Sequence, residues 1–140
     1  MLIEKFVVFS IGQEEYAVPI SQVKEVIYYT IPTRIPSSMD SVIGVINLRG
    51  KILPILNLSK EIGIKSNKEF KEQKIIIIEN NNPFGVIVDD VEEVIKLPKE
   101  NINRIDSIYE GEEYIIGITR VKDRLIIIMD LNLFWEEISG

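Results

Sequence analysis

Four carboxylates crowd the stretch "VDDVEE", where Asp89, Asp90, Glu92 and Glu93 follow one another with a single valine between. Oxygen ligands in such density can hold a hard cation, or divide acid and base roles between neighbouring carboxyls. An EF-hand loop also needs a glycine and a terminal glutamate at fixed spacing, and neither is present. The stretch therefore reads as a solvated turn. The second candidate is Arg49 in "NLRGK". Its guanidinium offers five donors in a planar fork, suited to a carboxylate or a carbonyl cluster on a partner. Gly50 suits the left-handed position of a type I turn with a G1 bulge, which would hold the arginine away from its hairpin as an exposed turn residue.

Other chemistry is excluded by what is missing. The 140 residues contain no cysteine and no histidine. That removes disulfides, thiolate chemistry, Cys-based zinc sites and the usual general base. Walker and dinucleotide glycine loops are also absent, as is an Asp-Thr-Gly in either half. Neither catalysis nor a cofactor is expected, and a carboxylate-dependent enzyme is the weaker alternative. A net charge of -6 argues against nucleic acid, whose binders need a basic footprint. Tyrosines and phenylalanines keep a small nucleic-acid-binding barrel as an alternative, but basic residues are not interleaved with them. The charge is uneven: residues 1–70 hold 8 basic and 7 acidic residues, residues 71–140 hold 8 and 15. Either the second half has the more solvated acidic face, or the halves meet different partners.

No apolar run approaches the ~18 residues of a membrane span. Glu4 and Lys5 interrupt the segment that a signal peptide would keep apolar. A soluble, cytoplasmic chain without membrane insertion is expected.

The elements that must carry these residues come in two copies. "YAVPISQVKEVI" (Tyr16–Ile27) aligns without gaps with "FGVIVDDVEEVI" (Phe84–Ile95), and "IGVINLRGKILPILNL" (Ile43–Leu58) with "IGITRVKDRLIIIMDL" (Ile116–Leu131). Two copies indicate a pseudo-twofold pair, with approximate bounds 5–65 and 74–137 inside one domain of residues 1–140. Valine and isoleucine dominate, bounded by turn residues, so each copy reads as β. Runs such as "IIII" do not alternate, which predicts strands buried on both faces. Pro54 predicts an edge strand or a bulge, and in the second copy Asp123 can still tolerate the left-handed turn position. "LNLFWEEI" predicts a short C-terminal helix and "NLSKEIGI" a shorter one. Ser66–Gln73 is the polar connection between copies. Units of this size are marginal alone, so a shared apolar seam is expected.

The motif "GVINLRGKILPILNL" resembles the signature of the CheW family of bacterial chemotaxis adaptors, and "EEYAVPISQVKEVI" and "FGVIVDDVEEVI" resemble two further blocks of that family in the right order. The resemblance runs from about Lys5 to Glu137. It implies an all-β fold of two SH3-like, five-stranded barrel lobes, with first strands either kept within a lobe or exchanged. It also implies a scaffold in two-component signalling, without catalysis, that couples the cytoplasmic tips of methyl-accepting chemoreceptors to the regulatory domain of the histidine kinase CheA. Such adaptors sit in receptor arrays at the inner face of the cell membrane. Positions matching the family's apolar receptor groove are Ile20, Val23, Val26 and Val91, and its polar coupling positions match Glu25 and Arg49. By residue type alone the valines and the isoleucine read first as core.

Overall fold

In "KIIII" the side chains of Ile75 and Ile77 enter one apolar cluster and those of Ile76 and Ile78 another, so the strand has no polar face to offer. The computed structural model describes residues 2–36, 40–104 and 113–139. The chain forms β1 (Ile3–Ile11), β2 (Glu14–Pro19), β3 (Val23–Tyr28), β4 (Val42–Leu48), β5 (Lys51–Asn57) and α1 (Leu58–Ile62). The second copy follows with β6 (Lys74–Ile78), β7 (Phe84–Val88), β8 (Asp90–Pro98), β9 (Asn103–Arg104), β10 (Ile115–Val121), β11 (Arg124–Met129) and α2 (Leu131–Ser139).

These strands build two sheets, one in the order β3-β6-β7-β5-β4 and one in the order β8-β1-β2-β11-β10-β9. The copies have exchanged hairpins. β1–β2 from the first copy completes the second copy's sheet, and β6–β7 from the second completes the first's. Equivalent pairs make the pseudo-twofold visible: β5 runs parallel to β7 with Ile55 opposite Gly85, and β11 runs parallel to β2 with Ile128 opposite Ala17. The register slips at Lys24 between β3 and β6, and at the matching Glu92 between β8 and β1, so each edge strand carries a bulge at the same place.

Exchange explains the double burial. Ile75, Ile77, Ile55 and Leu53 fill the interior of the first lobe. Phe6, Val8, Ile126 and Ile128 fill the second. The opposite faces of the same hairpins, with Val7, Phe9, Ile76, Ile78, Phe84 and Phe134, meet in a seam between lobes. Each fully buried isoleucine contributes about 1.5–3 kcal/mol relative to exposure.

Gly44 and Gly117 occupy matching places. A Cβ at Gly44 would lie 2.3 Å from the carbonyl oxygen of Thr33, and one at Gly117 would lie 2.6 Å from that of Asn103. Both glycines admit a crossing backbone: Thr33 bridges Val45 in the first lobe, and β9 pairs with β10 in the second. The two-residue β9 is why the second sheet counts six strands where five were expected.

Three local expectations are corrected. Pro54 lies on an interior strand, because β5 has β4 on one side and β7 on the other, and the bulge in its ladder lies on the partner strand β4, at Ile43. It is tolerated because its partner Val45 spends its N–H and C=O on Thr33, and pairing with β7 begins only at Ile55. In the β4–β5 turn both central residues are left-handed, Arg49 at φ 50° and Gly50 at φ 87°. That is the pattern of a type I′ turn, whose twist suits a two-residue hairpin better than a type I turn. In the matching β10–β11 turn, Lys122 takes the positive φ of 57° and Asp123 does not.

Candidate functional site

The bulge at Lys24 sorts the residues of β3 between two faces. Paired residues share a face, so Val23 opposite Ile78 and Val26 opposite Ile76 lie on the seam side. Glu25 opposite Ile77 and Ile27 opposite Ile75 lie on the side of the lobe interior. Val23 is half-buried against the seam, whereas Val26 is 39% exposed. Ile20, in the 3-10 turn Ile20–Gln22 that leads into β3, is 41% exposed. In the second lobe Val91 is half-buried against the same seam. Ile20 and Val26 are therefore surface residues, while Val23 and Val91 form the margin of the seam.

Arg49 does not project freely. Its Nη2 donates to Oε2 of Glu25, so the two polar positions named from sequence are bonded to each other. The arginine side chain remains 65% exposed and the glutamate 28%. Asn47 explains the turn that aims it: Oδ1 accepts a hydrogen bond from the Gly50 N–H at 3.0 Å. The second lobe builds the same link from another residue. Arg124 Nη1 donates to Glu93, the mate of Glu25, at 2.7 Å, and grips Glu15 through Nε and Nη2 at 2.9 and 3.1 Å. Those bonds to Glu15 and Glu93 push the arginine pKa further up.

The acidic stretch is not a solvated turn. Asp89 is buried at 2% exposure. Its Oδ2 accepts from the N–H groups of Gly12 and Asn67 at 2.7 and 3.0 Å, and its Oδ1 accepts from Gln73 at 2.9 Å and from the Ser66 hydroxyl. Burial alone would raise its pKa, but hydrogen bonds from Ser66, Asn67, Gly12 and Gln73 outweigh that and hold it below the ordinary value. Asp90 pairs with Lys74 at 2.9 Å and Lys68 at 3.4 Å. The carboxylates diverge to separate partners, which suits structure and not shared acid–base work.

Asp89 stands where the chain crosses from β7 in one sheet to β8 in the other, and it ties that crossing to the β1–β2 turn and the Ser66–Gln73 connection. The opposite crossing, from β2 to β3, is held by Gln22. Its Nε2 donates to Asp130 at 3.0 Å and its Oε1 accepts from the Leu131 N–H at 3.0 Å, at the start of α2. Sequence reasoning missed Val94 as well. It is the repeat mate of Val26, lies opposite Val7 of the seam, and is 53% exposed. The ungapped repeat carried that signal.

Two lobes with exchanged hairpins, exposed valines on both edge strands, and Asp89 and Asp90 spent on internal bonds define a protein-binding scaffold. The chain belongs to the CheW-like domain family, whose model matches residues 5–138. It is 34% identical to a Chemotaxis protein CheW of Bacillus subtilis, over 98% of this chain and 90% of that one. It is 31% identical to the Helicobacter pylori Chemotaxis protein CheW, over 89% and 77% respectively. The crystal structure of scaffolding protein TtCheW from Thermoanaerobacter tengcongensis superposes with a TM-score of 0.83 at 36% identity, covering 94% of this chain and 86% of that one. The chain is accordingly a chemotaxis adaptor, and the nucleic-acid and enzyme alternatives give way to that reading. Among the described residues no helix is long and apolar enough to cross a membrane.

Proposed function

We propose that this adaptor couples the cytoplasmic tips of methyl-accepting chemoreceptors to the regulatory domain of CheA, in arrays at the inner face of the cell membrane and without catalysis of its own. The observation that carries the receptor half is the exposure of Val26 on the seam side of an edge strand, beside half-buried Val23. Ile20 extends this surface at the entry to β3, and Val91 with Val94 forms its pseudo-twofold counterpart. A receptor tip is a helical hairpin, and an apolar stripe on a helix fits such a margin. Glu25 and Arg49 are the polar coupling pair.

Titration of the full chain with a receptor-tip fragment and, separately, with a CheA regulatory domain tests the proposal. Val26→Glu should weaken receptor binding and leave kinase binding and melting temperature in place. Equal loss of both partners, or of neither, would remove Val26 from the receptor contact.

A further inference from the structure

Each lobe carries a cleft, and the two clefts share three repeat-matched positions but differ in lining. In the first lobe a cleft of about 220 Å³ is lined by apolar Leu48, Leu53, Ile77 and Pro83, the buried Leu53 and Ile77 lying deepest, together with Lys24, Arg49 and Lys51. In the second a cleft of about 530 Å³ is lined by Glu14, Glu15 and Glu92 with Arg124. Under the repeat, Lys24 corresponds to Glu92, Lys51 to Arg124 and Pro83 to Glu15. Of these pairs Lys24/Glu92 reverses the charge and Pro83/Glu15 adds a carboxylate, while Lys51/Arg124 keeps a cation.

The charges also differ in how far they are satisfied. Lys24 and Lys51 are exposed and form no ion pair among the described residues, and only Arg49 has an internal carboxylate, Glu25. In the second mouth Arg124 is held by Glu15 and Glu93, which leaves Glu14 and Glu92 to set the sign. A cleft of this volume admits side chains and not a helix, whose diameter is about 10–12 Å. Its apolar floor asks for an aliphatic group, and its cations ask for carboxylates around that group.

We propose that the mouth of the first lobe is a docking cleft for a short acidic segment of a partner protein bearing an aliphatic side chain, and that the matching mouth of the second lobe rejects the same segment. Glu25 on Arg49 already shows the pairing that such a segment would extend. The inference deepens the adaptor reading, since Arg49 belongs to both, but its test needs neither receptor nor kinase.

The ¹⁵N-labelled full chain is titrated with the capped pentapeptide EELEE and, in parallel, with capped KKLKK, and backbone amide shifts are followed at low salt. Saturable shifts at Lys24 and through residues 48–53 with EELEE alone support the cleft. In a chain carrying Lys24→Glu and Lys51→Glu the dissociation constant should rise at least about tenfold, with the spectrum otherwise retained. Should that chain fail to fold, Lys24→Gln with Lys51→Gln is used, and a smaller rise is expected. No saturable shift, shifts centred on residues 12–15, or undiminished binding by a folded variant would overturn the proposal. Failure here leaves the receptor titration standing, and failure of that titration leaves this cleft standing.

Discussion

Glu25 on the edge strand β3 accepts a hydrogen bond from Arg49 in the β4–β5 turn, so two positions 24 residues apart form one surface feature. The pair spans elements that share no ladder, since β3 and β4 are the two ends of their sheet. In the second lobe Glu93 keeps the place of Glu25, while the arginine has moved from the turn to Arg124 on the strand. A guanidinium linking edge strand to hairpin is thus common to both lobes, and only the first holds it on an exposed turn.

Arg49→Lys keeps the charge and loses the fork. Exposed ion pairs contribute little, so stability should change by less than about 1 kcal/mol. Affinity for a partner that uses the guanidinium should fall by about 1–3 kcal/mol, because charge-assisted hydrogen bonds are lost. A double-mutant cycle with Glu25→Gln, read by melting temperature and by partner binding, separates the two effects. Unchanged affinity for receptor fragment and kinase domain together would make Arg49 a turn residue only.

Asp89→Asn should destabilise the protein by about 1.5–3 kcal/mol at neutral pH, because hydrogen bonds to a charged group become neutral ones and one amide hydrogen faces buried donors. The pH dependence has a definite sign. The folded carboxyl titrates below its ordinary 3.8, so its contribution is fully present above that value and is lost as pH falls through the lower folded pKa. The melting-temperature gap between wild type and Asp89→Asn should be widest near neutrality and narrow below about pH 4. A gap independent of pH would show that packing and not ionisation holds the crossing.

Gly44→Ala should cost about 1–3 kcal/mol, because the added methyl meets the Thr33 carbonyl oxygen, a backbone atom with little room to yield. At Gly50 nothing lies within 4 Å, and only the left-handed φ of 87° opposes a side chain. Gly50→Ala should therefore cost about 1–2 kcal/mol through backbone strain alone. Denaturant unfolding of both variants checks the contrast, and Gly44→Ala at wild-type stability would contradict the crossing.

Ile76→Ala and Ile77→Ala should each cost about 2–5 kcal/mol, since one side chain fills the seam and its neighbour the lobe. An ordinary half-buried strand would show one large and one small effect. Equilibrium unfolding of the pair distinguishes these outcomes directly.

The residues themselves determined the repeat, the β character, the absence of His and Cys chemistry and the turn at Asn47–Lys51. These are properties of composition, of short-range turn preference and of matching blocks, all carried along one chain. "IIII" even disclosed burial on both faces, because a strand without a polar position has no face for water. Exchange of hairpins was beyond its reach: side-chain period states that a face is buried but not against which copy, and β1 suits either sheet equally. The tertiary structure also decided the fate of Asp89. An aspartate in an acidic run looks solvated until Gly12, Ser66, Asn67 and Gln73 converge on it from distant segments. Glu25 and Arg49 were separately legible, but their bond depends on bringing the two ends of one sheet within reach across the mouth of a barrel-like lobe. Closure of that kind is set by long-range pairing, which no local pattern encodes.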